Sequence, residues 1–129
     1  MDLRTRLGLA FGLVLVLQAG AAGSAAAQSA APAGVTPAAI AQGDSIFHKT
    51  GLCYACHGSN AQGAVGPNLT DAEWIHGDGS YDFIVATVTS GIPAEKAKSG
   101  VPMPPKGGSS ISDEDVKAVA AYVYSLSHK

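Results

Sequence analysis

Five consecutive residues, Cys53-Tyr54-Ala55-Cys56-His57, hold the only two cysteines of the chain. The spacing is that of C-x-x-C-H, the pattern by which a c-type haem is attached. Two thiols three positions apart each add across a vinyl group of the porphyrin, and the next residue places an imidazole under the iron as the proximal ligand. A chain carrying this motif has to fold around a flat, rigid, largely apolar disc. C-x-x-C also occurs in thioredoxin-like redox pairs, which need a surrounding βαβ pattern, and in zinc sites, which need two more ligands at suitable spacing. Neither accompaniment is present, so the pentapeptide points to one covalent haem c, attached through Cys53 and Cys56 with His57 on the iron.

The N-terminus has the three parts of a secretory signal: Arg4 and Arg6, an apolar run from Leu7 to Leu17, and small residues ending in Ala25-Ala26-Ala27 before Gln28. Residues 1–27 are therefore expected to be a cleaved leader and the mature chain to be periplasmic. The alternative is an uncleaved membrane anchor, since Ala and Gly extend the apolar character to Ala27 although the Leu-rich run is short for a span. Export suits the cysteines, because haem is attached to such motifs outside the cytoplasm. About a hundred residues then remain, enough for one small domain with a core that is marginal alone. They carry nine acids and six lysines, three net negative, with no basic run, which excludes nucleic acid as a partner.

Residues 28–35, from Gln28 to Val35, are mostly Ala, Ser, Pro and Gly and read as a flexible lead-in to a domain over 36–129. Thr36 is suited to cap a helix with Pro37 in its first position, and Ile40, Gly43 and Phe47 give that helix one face, with Gly51 ending it. Thr70-Asp71-Ala72-Glu73 has the spacing of a capping box and predicts a short helix stopped by Gly77-Asp78-Gly79. Ser80 caps another helix, with Phe83, Ile84, Thr87 and Val88 on one side and Gly91 at its end. Residues 92–111 form a long proline-rich loop. Ser112 then caps the last helix, where Asp113, Glu114 and Asp115 suit the helix dipole and Val116, Val119, Ala120, Val123 and Leu126 form the buried stripe. The expected class is all-α, three main helices plus a short one around the haem.

These elements together resemble the class I cytochrome c family. The matches run in family order: Gly43 and Phe47, Cys53 to Gly58, Gly66-Pro67-Asn68-Leu69, Met103-Pro104, and Tyr122. Pro67-Asn68-Leu69-Thr70-Asp71 with Trp74 is most similar to the monohaem domains of cytochrome-cbb-type oxidase subunits and their soluble relatives. Two departures stand out: His76-Gly77-Asp78 replaces an aromatic-Gly-Gly, and Phe47 lies further from Cys53 than is usual.

Met103 is the only methionine left after the leader and sits in Val101-Pro102-Met103-Pro104-Pro105, a loop stiff enough to hold a weak thioether donor. The resemblance makes it the sixth iron ligand; its alternative is a gap-filling core methionine. His76, in a Gly-rich turn, is the competing imidazole, while His48 and His128 are expected to be solvated. By the same resemblance the Pro67 carbonyl accepts from the Nδ1–H of His57, and Gly43, Phe47 and Tyr122 join the first and last helices. Trp74 either donates its indole N–H to a haem propionate or covers the ring edge.

A His57 and Met103 pair leaves no open iron position, so the expected function is a one-electron carrier, not itself an enzyme, between exported or membrane-bound redox complexes. Two alternatives stay open: a fixed electron-transfer subunit of a respiratory oxidase or dehydrogenase, and a haem sensor or enzyme in which Met103 is labile. Its partners are then membrane oxidases, reductases or dehydrogenases, and the protein is a monomer or a subunit of a complex. Lys96, Lys98 and Lys106 surround Met103 in sequence, opposed only by Glu95. They either steer an acidic partner or simply solvate the loop.

Overall fold

The structure, a computed structural model, describes residues 30–129. The leader, and any cleavage or anchoring by it, lies outside the described residues. Four α-helices follow in order: α1 Pro37–His48, α2 Tyr54–His57, α3 Tyr81–Ser90 and α4 Asp113–Ser127. Two 3₁₀ turns, Ala94–Lys96 and Pro105–Gly108, punctuate the loop between α3 and α4. No strand occurs among the described residues, only one isolated antiparallel bridge between Ile92 and Met103. None of the helices there is long and apolar enough to cross a membrane.

The helix starts follow their caps. Thr36 Oγ1 accepts from the Ala39 N–H at 3.1 Å, and Ser80 Oγ from the Phe83 N–H at 3.3 Å. Ser112 and Asp115 form a reciprocal box, each side chain accepting the other's backbone N–H at 3.1 Å. α1 stops at His48, earlier than Gly51 would suggest. The chain then leaves by a tight turn, with the Gly51 N–H donating to Ile46 O at 2.8 Å and Leu52 in the left-handed region at φ 55°. That turn absorbs the long spacing between Phe47 and Cys53.

The expected short helix after Thr70 is not formed; the short helix is α2, at the haem motif itself. Asn68 and Asp71 outcompete the capping box. Asn68 Oδ1 accepts from the Thr70 N–H at 2.9 Å and hydroxyl at 2.7 Å, and Asp71 Oδ1 takes the Glu73 N–H at 3.1 Å. Both groups that the box needs are thereby spent on local side-chain turns.

α1 and α4 cross at Gly43, where an added Cβ would lie 2.0 Å from the Ala118 carbonyl oxygen and 2.8 Å from Tyr122 Cβ. Phe47, fully buried, meets Tyr122 edge-on, ring centroids 5.4 Å apart at 63°. Val116 and Val119 are also fully buried, and α3 adds Ile84 and Val88 to the same core. Burial of each such side chain contributes about 1.5–3 kcal/mol relative to exposure.

His48 is not merely solvated. Its Nδ1 lies 2.8 Å from the Asp44 carbonyl oxygen and 2.9 Å from Asp44 Oδ1. Its Nε2 lies 2.6 Å from the Ser59 carbonyl oxygen. Carbonyl oxygens only accept, so both ring nitrogens must donate and the imidazolium is the form that satisfies them. The Ser59 carbonyl, then that of Asp44, hold its pKa above the ordinary value, with burial opposing. The charged ring thus ties the last turn of α1 to the loop that follows the haem motif.

Two outcomes follow from this packing. Gly43→Ala should lower the unfolding free energy of the holoprotein by roughly 3 kcal/mol in denaturant melts, because a backbone carbonyl cannot step aside; a loss under about 0.5 kcal/mol would contradict the contact. For His48 the folded pKa is raised, so its stabilisation is complete below the ordinary value of 6.5 and fades as pH rises through the folded value. The stability gap between wild type and His48→Gln should therefore shrink on going alkaline, and a gap that stays constant or grows would refute the imidazolium clamp.

Candidate haem site

The motif sits on a single turn. Cys53 precedes α2 and is buried, its Sγ 3.5 Å from the Gly51 carbonyl oxygen, and burial pushes its thiol up to about 11. Cys56 is exposed. His57 closes the turn and is buried. The loop after α2 folds back over it: the Gly63 N–H donates to His57 O at 2.8 Å and the Gly66 N–H to Cys56 O at 2.9 Å. That return path brings the Pro67 carbonyl within 2.9 Å of His57 Nδ1. Gly66 passes so close that an added Cβ would sit 3.1 Å from both Nδ1 and Cε1 of the ring.

The electrostatics match a neutral nitrogen ligand. Burial lowers the His57 pKa, with the Pro67 carbonyl opposing. With Nδ1 donating to that carbonyl, the lone pair resides on Nε2. A fixed acceptor of this kind orients the ring and raises its basicity toward a metal.

His57 lines an apolar crevice that opens to solvent. Phe47, Ile84, Val88, Val119 and Val123 line it, so part of the hydrophobic core is also the crevice wall. All six residues singled out in the sequence, Cys53, Cys56, His57, Pro67, Trp74 and Met103, line this one crevice. His76 lines it too, as the competing imidazole. Trp74 is half-buried and packs on Gly79, where an added Cβ would meet its Nε1 at 2.2 Å. Among the described residues no three His, Cys, Asp or Glu side chains gather as a metal-ion site. Two imidazoles, one thioether and two thiols are thus spread along an apolar slot and do not converge on one point, which fits a haem and not a zinc ion.

The lysine trio does not survive as a unit. Lys106 Nζ is 2.8 Å from Asp113 Oδ1, at the start of α4, and this pairing holds the Asp113 carboxyl below its ordinary range. Lys96 and Lys98 are exposed on the other arm of the loop. Of two further contributors, one was named only as part of a matching motif and one escaped the sequence reading. Gly66 carried a trace in its place before Pro67; Ile92 carried none, since only the fold shows it against Met103.

A core whose wall is the crevice cannot close without something filling it. A haem-free Cys53→Ser, Cys56→Ser double variant should lose much of its helical circular dichroism and its cooperative melt. Native-like helicity in that variant would refute the dependence.

Residues 38–123 match the family described as cytochrome c oxidase, cbb3-type, subunit III. Among curated proteins, the cbb3-type cytochrome c oxidase subunit CcoP of Rubrivivax gelatinosus is 44% identical over 92 residues, covering 70% of this chain and 27% of that one. A cbb3-type subunit FixP from Bradyrhizobium sp. is 42% identical over 89 residues, covering 67% of this chain and 27% of its own length. The chain thus spans about a quarter of the length of these relatives. Of solved structures, cytochrome cL from Methylophaga aminisulfidivorans superposes with a TM-score of 0.58 at 22% identity, over 73% of this chain and 57% of that one. Cytochrome cL from Hyphomicrobium denitrificans gives 0.50 at 20%, over 66% and 45%. At those identities the likeness is one of fold: the all-α class expected from the helix pattern, and the cytochrome c fold that the resemblance implied. The cofactor of this fold and motif is covalent haem c. The chain belongs to the family of subunit III of the cbb3-type cytochrome c oxidases.

Proposed function

We propose that this chain is the haem c electron-transfer module of a cbb3-type oxidase, receiving one electron at a time and passing it on, with no catalysis of its own. The observation that carries it is that His57 and Met103 line one apolar crevice, in a chain whose relatives are named as subunits of that oxidase. Those names favour the fixed subunit over the diffusing carrier that heads the sequence reading.

A bound haem supplies reversible one-electron chemistry at iron. The residues do the rest. Cys53 and Cys56 would anchor the ring, and His57 Nε2 is aimed by the Pro67 carbonyl behind it. Met103 offers a neutral, polarizable thioether, which favours the reduced form. The apolar walls disfavour the extra positive charge of the oxidised form, so both raise the potential. With both His57 and Met103 bound, the iron would have no position left for oxygen or peroxide. Trp74 would either cover the edge of a bound ring or donate its indole N–H to a propionate. Cleavage after Ala27 would place the module on the exported face, in the periplasm.

Mild-detergent purification through a tag on this chain, from its own host, tests the reading. The account predicts recovery with the oxidase subunits, and a reduced haem that oxygen reoxidises through the complex. Recovery only as a free cytochrome would overturn the subunit assignment and restore the diffusing carrier. A preparation lacking covalent haem would overturn both.

A further inference from the structure

The loop that bears Met103 is long, and at Met103 itself its backbone is paired with Ile92. In Pro102-Met103-Pro104-Pro105 the three prolines carry no N–H, so Met103 has the only backbone donor of the four residues. That donor goes to Ile92 O at 2.9 Å, and the Met103 carbonyl accepts the Ile92 N–H at 2.8 Å. This is the sole β-bridge among the described residues. Ile92 directly follows Gly91, the C-terminal cap of α3, whose own N–H donates to Thr87 O at 2.7 Å. α3 is in turn seated in the core through Ile84 and Val88, which face the same crevice as Met103.

Gly91 lets this happen. It lies at φ 71°, and an added Cβ would stand 2.3 Å from the Met103 carbonyl oxygen and 2.7 Å from the Pro105 nitrogen. Both contacts are backbone, so neither can rotate away. Gly100, only three residues before Met103, differs in one respect: at φ 79° it shares the left-handed backbone, but an added Cβ there would meet nothing within 4 Å. Residues 98–102 are exposed.

We infer that Gly91 and Ile92 are positioning residues for the sixth iron ligand: α3 holds the Met103 sulfur on the metal through this bridge, and the exposed part of the loop does not. The inference rests on Met103 as ligand. It makes the lability of that ligand a property of the end of α3. Breaking the bridge lets the loop lift and opens the iron to external ligands, as a gas-binding haem would require.

The holoproteins Gly91→Ala and Gly100→Ala are compared with wild type, each checked for covalent haem and helical circular dichroism. Gly91→Ala should weaken the far-red absorption band of methionine-bound ferric iron and speed carbon monoxide binding to the ferrous form by roughly tenfold or more. Gly100→Ala should match wild type in both. Equal behaviour of the two variants would overturn the inference. If Gly91→Ala fails to fold, amide exchange in wild type decides it. Ile92 and Met103 amides that are protected together, and that open at rates tracking carbon monoxide binding as denaturant is added, support the bridge; free exchange at both sites, or no tracking, overturns it. A Met103→Ala holoprotein with the spectrum of wild type would instead remove the ligand reading on which the inference stands.

Discussion

An imidazole binds a metal through one nitrogen at a time, and which one is free depends on what the other is doing. In this protein Nδ1 of His57 is committed to the Pro67 carbonyl at 2.9 Å. That hydrogen bond requires the chain after the motif to double back, which it does by returning the Gly63 and Gly66 amides to the carbonyls of His57 and Cys56. The return demands close passage over the ring, and Gly66 gives it. His48 then secures the outside of the same turn through Ser59. A short helix of four residues, too small to be stable alone, is thus held from both sides.

The opposite requirement governs the rest of the crevice. Its walls are the inner faces of α1, α3 and α4, and they are apolar because the core and the cofactor slot are one volume. The charged pairs stand outside it: Lys106 with Asp113 and Lys117 with Glu114, each at 2.8 Å. Exposed pairs of this kind contribute little to stability. Keeping these charges at the surface while His57 and Met103, both neutral donors, line the slot is an arrangement that would favour a reduced iron.

The three long helices were legible because each carries its own local instructions. Thr36-Pro37, Ser80 and Ser112 cap, Gly91 stops, and Val116, Val119 and Val123 repeat at the helical period. The motif residues were legible because covalent chemistry dictates their spacing. What escaped is what depends on competition or on distance in the chain. The box at Thr70 and Glu73 looked complete, but Asn68 and Asp71 hold the same donors at shorter range. His48 read as a surface residue because its partner, Ser59, lies eleven positions away across the motif. Lys106 read as a free charge because Asp113 belongs to the next helix. Ile92 has an unremarkable sequence context, and only the return of the loop places it on Met103.

The account turns on whether Met103 and His57 are the two iron ligands of a covalently held haem. A redox titration of wild type against Met103→Ala, followed by reduced-minus-oxidised spectra, tests this most directly. The account predicts a low-spin spectrum with the far-red methionine band in ferric wild type, and a variant that keeps its haem through Cys53 and Cys56 but loses the band and falls in potential. A wild type without that band, or a variant with unchanged spectrum and potential, would contradict it and turn attention to His76 as the residue on the second face of the iron.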